Sequence, residues 1–188
     1  MRPASVIGKS ILKPRPAALP GNAGAGANRR KAHRAPAARL IETYFHAGPG
    51  YEPFLVRAGW QVAQLNFFPE QGAAHINRVE RHAHTDEVFV LCQGGAILVA
   101  AEEGAAGLRF KALRMKPGVT YNIPTGVWHN IAMMPGDLVI IFEKDNTHRT
   151  DVEYRSFTRR EQTAWSRTLA RLPSGSKFVI KKSKIREM

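Results

Sequence analysis

The chain has 188 residues, 44% of them hydrophobic, and a formal net charge of +13 at pH 7. This length suits one domain with terminal extensions and is sufficient for a substantial core. No run approaches the roughly 20 apolar residues of a membrane-spanning helix, and Cys92, the only cysteine, excludes an intramolecular disulfide.

The positive charge is confined to the two ends of the chain. Residues 1–39 carry a net charge of +9, residues 40–154 carry −4 and residues 155–188 carry +8. Residues 1–38 are rich in Pro, Gly, Ala and Arg with few large apolar side chains, so we predict a disordered basic arm there. The first residues hold too short an apolar stretch for a secretory signal. We therefore expect a cytoplasmic protein, with an organelle transit peptide at residues 1–38 as the alternative.

Residues 39–154 are predicted to form a barrel of short β-strands, followed by a basic C-terminal segment at residues 155–188. Seven apolar runs are separated by turns that contain Gly and Pro, which is the pattern of an all-β sandwich or barrel. The runs are Gln61–Phe68, Glu87–Leu91, Ala96–Ala101, Leu108–Met115, Thr120–Ile123, Trp128–Met133 and Leu138–Glu143.

The run that begins at Glu87 places a carboxylate on an apolar face. Side chains alternate along a strand, so Glu87, Phe89 and Leu91 share one face, while Val88 and Val90 share the other. A lone charge beside Phe and Leu is costly to bury unless it is paired or binds a metal. Glu87 is therefore expected to have a partner inside the barrel.

After the predicted barrel, residues Thr158–Leu172 fit one short amphipathic helix. Trp165, Leu169 and Leu172 fall on one helical face. The following residues, 177–188, form a basic tail. The basic ends could contact nucleic acid through its phosphates. They lack interleaved aromatic residues and any recognised nucleic-acid fold, so solvated tails are the favoured interpretation.

Two blocks of the sequence gather side chains that bind metals. The first is Glu80-Arg-His82-Ala-His84-Thr-Asp-Glu87, which is followed after six residues by Gly94. The second is Gly118-x5-Pro124-x-Gly126-x2-His129. Imidazole and carboxylate groups from two strands of a small barrel would suit Fe(II), Mn(II), Ni(II), Cu(II) or Zn(II).

Both blocks, in this order, resemble the two motifs of the cupin superfamily. The first family motif is His-x-His, three or four residues, Glu, six residues and Gly. The second is Gly, five residues, Pro-x-Gly, two residues, His, three residues and Asn. The run from Thr85 to Leu91 is similar to that of small single-domain cupins. The resemblance covers roughly residues 40–154 and implies a double-stranded β-helix, or jelly-roll barrel, that holds a divalent metal.

The chain departs from the family pattern at two places. Met133 stands where the second motif has Asn. The first motif fits in two registers, because a gap of four residues pairs Glu80 with His82, whereas a literal His-x-His gives His82 and His84. The first register is preferred for its Thr-Asp-Glu spacing. The resemblance thus implies His82, Glu87 and His129 as metal ligands, with Glu80 or His84 as the fourth.

The resemblance implies a divalent transition metal (Fe, Mn, Zn, Ni or Cu) as cofactor and a small molecule, such as a sugar or an organic acid, as ligand or substrate. The scaffold hosts isomerases, epimerases, dioxygenases, decarboxylases and non-catalytic binders, so whether the protein is an enzyme stays open. In an enzyme, whichever of Glu80 and His84 is not a ligand is the candidate acid–base group.

Two further alternatives remain. One is a ligand-binding or regulatory barrel whose basic tails contact nucleic acid. The other is a metal-free barrel, in which His82 and Glu87 form a hydrogen-bonded pair and His129 caps a turn.

Three aromatic residues near the candidate ligands, Phe89, Tyr121 and Trp128, are candidates for lining a ligand pocket, with core packing as the alternative. His46, His75 and His148 carry no motif. Many cupins pair through barrel edges, so the resemblance also implies a homodimer.

Overall fold

The computed structural model of the protein describes residues 40–173. The strands are β1 (Gly50–Arg57), β2 (Trp60–Asn66), β3 (Arg78–Arg81), β4 (Glu87–Gln93), β5 (Ile97–Gly104), β6 (Gly107–Arg114), β7 (Thr120–Ile123), β8 (Trp128–Ala132), β9 (Leu138–Glu143) and β10 (Glu153–Ser156); the helices are α1 (Thr147–Thr150) and α2 (Arg159–Ala170), with a 3-10 turn at Pro69–Gln71. The predicted disordered arm, residues 1–38, and the basic tail, residues 177–188, lie outside the described residues.

The strands form two five-stranded sheets. The first sheet has the order β1-β2-β9-β4-β7, and the second has the order β10-β3-β8-β5-β6. All pairings between these strands are antiparallel. From β3 onward the chain passes from one sheet to the other at nearly every connection, which is the winding of a jelly roll. The predicted all-β double-stranded β-helix is confirmed.

All seven apolar runs are strands, but the sequence pattern missed β1, β3 and β10. β1 contains Pro53, which weakens a strand prediction. β3 and β10 are four residues each, and each has one large apolar side chain, Val79 or Tyr154. So short a polar segment shows no alternation and becomes a strand only because a neighbouring strand supplies its hydrogen bonds.

The core lies between the two sheets and fixes which side of each strand faces inward. On β4, Phe89 and Leu91 are buried, and on β9 the same holds for Val139 and Ile141. Glu87 shares the buried face of Phe89, as its alternation predicted. The barrel interior is therefore where a polar or metal-binding group must be found for this carboxylate.

The C-terminal helix α2 packs against the second sheet. Thr158 caps its N-terminus in a capping box with Glu161, which explains why the helix begins at Arg159. Trp165 is fully buried and donates its indole N–H to the carbonyl oxygen of Ala73 at 3.0 Å. Within residues 40–173, no helix has the length and apolar character needed to cross a membrane.

Candidate metal centre

The three motif side chains His82, Glu87 and His129 meet inside the barrel. His82 directly follows β3, Glu87 opens β4 and His129 lies on β8, so the two sheets contribute to one point. One ligand atom from each residue lies within 4.8 Å of the other two. Glu87 Oε2 is 2.6 Å from His129 Nε2 and 3.1 Å from His82 Nε2. All three side chains are buried.

Backbone carbonyl groups fix the orientation of both imidazoles. His82 Nδ1 lies 2.6 Å from the carbonyl oxygen of Asp151, and His129 Nδ1 lies 2.9 Å from that of Val127. A carbonyl oxygen only accepts, so each Nδ1 carries the hydrogen and donates it. Each Nε2 is thereby directed toward Glu87, the arrangement in which protein imidazoles bind metals.

The electrostatics of the triad depend on the contacts with Glu87. Burial opposes ionisation of Glu87, but hydrogen bonds from His129 and His82 outweigh it and lower its pKa to about 2. Burial likewise opposes protonation of His82, but the hydrogen bond to Glu87 and the charge of that carboxylate raise its pKa to about 9. The pKa of His129 is raised through the same partner, again against the effect of burial. Without a metal, protons on the imidazoles thus neutralise the buried carboxylate.

The two candidates for a fourth ligand have different surroundings. Glu80 lines the cavity from β3 and is the Cα partner of His129 across the strand pair. Burial, with the nearby negative charge of Glu87, raises the pKa of Glu80. His84 is exposed, and its Nδ1 lies 3.0 Å from Asp151 Oδ1. The structure therefore brings Glu80, and not His84, to the cavity.

The cavity beside the triad has a volume of about 200 Å³. Phe89 lines it, with its ring centroid 6.1 Å from that of His129. Tyr121 and Trp128, the other two pocket candidates, are not among the residues that line it. Tyr121 packs in the core, with its hydroxyl bound by the backbone N–H of Lys116. Trp128 precedes the inward-facing His129, so strand alternation turns it to the opposite face, beneath the guanidinium of Arg81.

A second group of polar side chains in the same cavity was missed by the sequence analysis. Tyr51 donates its hydroxyl to Glu143 Oε1, and Gln61 Nε2 donates to the same oxygen at 2.9 Å and to the Tyr51 hydroxyl at 2.8 Å. His148 lines the cavity beside them. Glu143 could have been found in the way Glu87 was, because it shares a strand face with Val139 and Ile141. Tyr51 and His148 carry no comparable signal.

Burial governs the ionisation of this second group. It raises the pKa of Glu143, and the charge of Glu87 raises it further, against the hydrogen bonds from Tyr51 and Gln61. Burial also raises the pKa of Tyr51, with the charge of Glu143 as the next cause. The tyrosine is therefore a hydroxyl donor. Of the three carboxyl groups that line the cavity, Glu80 and Glu143 have raised pKa values and Glu87 has a lowered one.

Arg78 and Tyr154 lie on the remaining side of the cavity. Both residues line it, and the Arg78 guanidinium carbon lies 4.3 Å from the centre of the Tyr154 ring. Within residues 40–173, no carboxylate forms an ion pair with Arg78. Its charge nevertheless acts on the nearby Glu80, whose pKa it lowers against the effect of burial. A cation beside a metal-binding cluster is suited to an anionic ligand.

Comparison with solved structures finds distant similarity over about half of the chain. A cupin-2 domain protein from Shewanella frigidimarina is 20% identical over 53% of this chain and 84% of its own length, with a TM-score of 0.38. Hydroquinone 1,2-dioxygenase from a Sphingomonas species, with 4-hydroxybenzoate bound, is 9% identical over 53% of this chain and 68% of its own, with a TM-score of 0.42. KdgF from a Halomonas species is 18% identical over 53% of this chain and 83% of its own length, with a TM-score of 0.36. No protein-family model and no curated protein sequence matches the chain.

The strand order of the two sheets and the crossing of the chain between them decide the fold. The protein is a double-stranded β-helix, or jelly-roll barrel. All three structures are distant from this chain, at 9–20% identity and TM-scores of 0.36–0.42.

Proposed function

We propose that this jelly-roll barrel binds one divalent transition metal and that a small molecule, a sugar or an organic acid, is bound or transformed beside it. The observation that carries the proposal is the convergence of His82 Nε2, His129 Nε2 and Glu87 Oε2 on one buried point. Two imidazoles and a carboxylate suit Fe, Mn, Zn, Ni or Cu.

The hydrogen bonds around the triad support a metal over a purely structural role. Both Nδ1 atoms are occupied by backbone carbonyl oxygens, so each imidazole has only Nε2 for the interior. In the metal-free alternative, His129 was expected to cap a turn, whereas it lies within β8 and contacts Glu87. Glu80 is our candidate for the fourth ligand, because it lines the cavity next to His129 while His84 is exposed.

A metal held by these residues would supply a Lewis acid with coordination positions open to a substrate oxygen or to dioxygen. The side chains of the chain itself would bind and orient the substrate. Arg78 would pair with an anionic group, and the Tyr51–Glu143 pair would hold or exchange a proton on the other wall. Leu65, Phe89 and Ile141 supply apolar walls.

The size of the cavity supports a small ligand. Its volume of about 200 Å³ is below the roughly 300–1,000 Å³ of pockets that hold drug-sized molecules. A ligand of a few carbon atoms with one acidic group would match both the volume of the cavity and the positive charge of Arg78. A binder without catalysis, whose basic ends contact nucleic acid, is the alternative function.

Metal analysis of the purified full chain tests the metal site. We expect about one metal ion per chain in the wild type and none in a His82→Ala, His129→Ala double variant. His84→Ala is the matched control, because it removes an exposed imidazole from the same block and should leave the metal content unchanged. A wild-type protein that lacks metal and cannot be loaded with any of the five ions would refute the proposal.

Ligand binding to the metal-loaded protein separates the two functions. Small carboxylic acids and sugars would be screened by calorimetry, followed by product analysis for those that bind. Turnover that disappears in the double variant supports an enzyme. Binding without turnover, together with salt-sensitive binding of DNA or RNA by the full chain, supports the alternative.

A further inference from the structure

The cavity beside the triad has one polar wall on each sheet. The second sheet supplies Arg78 from β3 and Tyr154 from β10, which we call the arginine wall. The first sheet supplies Tyr51 from β1 and Glu143 from β9, which we call the glutamate wall. Because the volume of the cavity is only about 200 Å³, a ligand of a few carbon atoms reaches both walls.

The arginine wall is suited to one anionic group of the ligand. Within residues 40–173, Arg78 is the only Arg or Lys that lines the cavity, and it forms no ion pair. Its guanidinium carbon lies 4.3 Å from the centre of the Tyr154 ring, a cation–π contact that leaves the N–H donors free for a ligand. The charge of Arg78 also lowers the pKa of Glu80, against burial, from beyond ion-pair distance. A ligand carboxylate would therefore find a cationic partner here.

The glutamate wall has one oxygen that is open to a ligand. Glu143 Oε1 accepts from the Tyr51 hydroxyl and, at 2.9 Å, from Gln61 Nε2. Gln61 is fixed in turn, because its Oε1 accepts from the backbone N–H of Asn146 at 2.8 Å. Glu143 is 8% exposed, and its Oε2 accepts no hydrogen bond from residues 40–173. A buried polar atom without a partner is costly, so a ligand group that donates to Oε2 would be stabilised.

A second anionic group of the ligand would be unfavourable at the glutamate wall. Burial raises the pKa of both Tyr51 and Glu143, and the negative charge of Glu87 raises both further. The ring centre of His148 lies 5.6 Å from that of Tyr51, but burial and the charge of Arg149 lower the pKa of His148 below 6.5, so it is neutral at pH 7. A carboxylate at this wall would thus face like charges without a cation.

The number of acceptors at the glutamate wall favours a hydroxyl over an ammonium group. An ammonium has three N–H donors, and each needs an acceptor once the group leaves water. Glu143 Oε1 already accepts two hydrogen bonds, and the Tyr51 oxygen accepts one from Gln61 Nε2 at 2.8 Å. Of these side chains, Glu143 Oε2 is the acceptor that remains. A hydroxyl has one donor, and this single oxygen satisfies it.

We propose that the ligand of this cavity is a small hydroxy acid, with its carboxylate on Arg78 and its hydroxyl donating to Glu143 Oε2, which rests on the proposed function and narrows its ligand to one class of organic acid. A neutral sugar would leave Arg78 without a counter-charge, and a dicarboxylic acid would place its second carboxylate at the glutamate wall. Tyr51 would be a positioning residue, because its hydroxyl holds Oε1 and so directs Oε2 to the ligand.

Calorimetric titration of the full-length protein with acids of equal chain length tests the hydroxyl contact. One set is 3-hydroxypropionate, propionate, malonate and β-alanine, and the other is 4-hydroxybutyrate, butyrate, succinate and 4-aminobutyrate. In at least one set the hydroxy acid should bind most tightly, and about tenfold or more above the acid without a hydroxyl, which leaves Oε2 unpaired. If in both sets another acid binds as tightly as the hydroxy acid, the proposal is overturned.

Two substitutions assign the contacts to their side chains. Arg78→Met should weaken the binding of 3-hydroxypropionate and propionate alike, by about tenfold or more. Arg81→Met is the matched control, because Arg81 is on the same strand but lies over the ring of Trp128, outside the cavity. Glu143→Gln puts an N–H donor in place of Oε2 and removes a negative charge, so the affinity for malonate relative to 3-hydroxypropionate should rise about tenfold or more. An unchanged ratio contradicts the contact with Glu143.

Tyr51→Phe gives an independent readout if Glu143→Gln fails to fold. It should reduce the preference for 3-hydroxypropionate over propionate to about threefold or less and leave the affinity for propionate unchanged. Equal weakening of both ligands would show a purely structural role and overturn the positioning by Tyr51. Metal content is measured on every protein. A metal-free protein that still prefers the hydroxy acid refutes the metal site alone, whereas a metal-loaded protein without this preference refutes the hydroxy acid alone.

Discussion

His82 donates its Nδ1–H to the carbonyl oxygen of Asp151, 69 residues further along the chain, at 2.6 Å. The carboxylate of the same Asp151 accepts from the backbone N–H groups of Ala83 and His84, both at 2.8 Å. One residue between α1 and β10 therefore fixes both the ring of a candidate ligand and the loop that follows it. The direction of His82 Nε2 depends on this contact between segments distant in sequence.

Asp151→Ala should weaken metal binding without removing a ligand. The variant frees two backbone N–H groups and loosens the loop after β3, so we expect a 10- to 100-fold loss of metal affinity, the usual effect of removing a group that supports a ligand. A chelator competition assay measures it. His84→Ala removes only the ring contact with Asp151 and is the control. Equal affinities in the two variants would contradict this role for the Asp151 carboxylate.

Metal binding should release protons at neutral pH. The pKa of His82 is about 9 in the metal-free protein, since the contact with Glu87 outweighs burial, so at pH 7 the imidazole is protonated. A metal binds only the neutral imidazole and must displace that proton. Metal affinity should therefore rise with pH up to about pH 9, and the calorimetric enthalpy should vary with the ionisation enthalpy of the buffer. An enthalpy that is the same in phosphate and in Tris would show that no proton is released.

Glu161→Gln should destabilise the protein at pH 7 and reduce its sensitivity to acid. Glu161 accepts hydrogen bonds from Leu108 N, Thr158 N and Arg155 Nη2, each at 2.8 Å, and against burial these lower its pKa to about 2. Because the pKa of Glu161 is lower in the folded protein than its ordinary value of 4.5, the ionised carboxylate stabilises the fold above pH 4.5. This stabilisation is lost as the pH falls from 4.5 to 2. We expect a loss of about 1–3 kcal/mol at pH 7 in urea unfolding.

The difference between wild type and Glu161→Gln should therefore shrink as the pH is lowered from 4.5 toward 2. Glu102→Gln is the control, because Glu102 pairs with Arg109 at 3.1 Å in an exposed position. It should cost at most about 0.5 kcal/mol. A difference for Glu161→Gln that stays constant from pH 7 to pH 3 would contradict the assignment.

Gly94→Ala should destabilise the barrel far more than Gly118→Ala. Both glycines have positive φ, +92° and +75°, so an alanine is strained at either position by about 1–2 kcal/mol. At Gly94 the added Cβ would also lie 1.9 Å from Asp137 Oδ1, whereas at Gly118 nothing lies within 4 Å. Displacing Asp137 disrupts its hydrogen bonds from Gly95 N and Met134 N.

We expect a loss of about 2–4 kcal/mol for Gly94→Ala and of about 1 kcal/mol for Gly118→Ala, measured by urea unfolding. Equal losses would mean that Asp137 moves aside at no cost. The first motif would then require glycine at this position for its backbone conformation alone.

Much of the site could be predicted because the relevant signals are local. Glu87 stood out since its neighbours at every second position are apolar, and the spacing of His129 from Gly118 matched a known motif. The same alternation, applied to β8, would have placed Trp128 opposite His129 and so outside the cavity. The motif spacing favoured Glu80 over His84, but the position of Glu80 beside the cavity depends on β3, a four-residue strand that shows no apolar pattern.

The sequence by itself determined the alternation of buried and exposed side chains, the positions of most strands and the chemistry of the three candidate ligands, because these follow from nearest neighbours along the chain. The tertiary structure alone decided that Tyr51, Glu143 and His148 share the cavity with His82, and that Arg78 and Tyr154 line its other side. Such contacts depend on which strands become neighbours. That order is set by the packing of two whole sheets around one core, which no short stretch of sequence encodes.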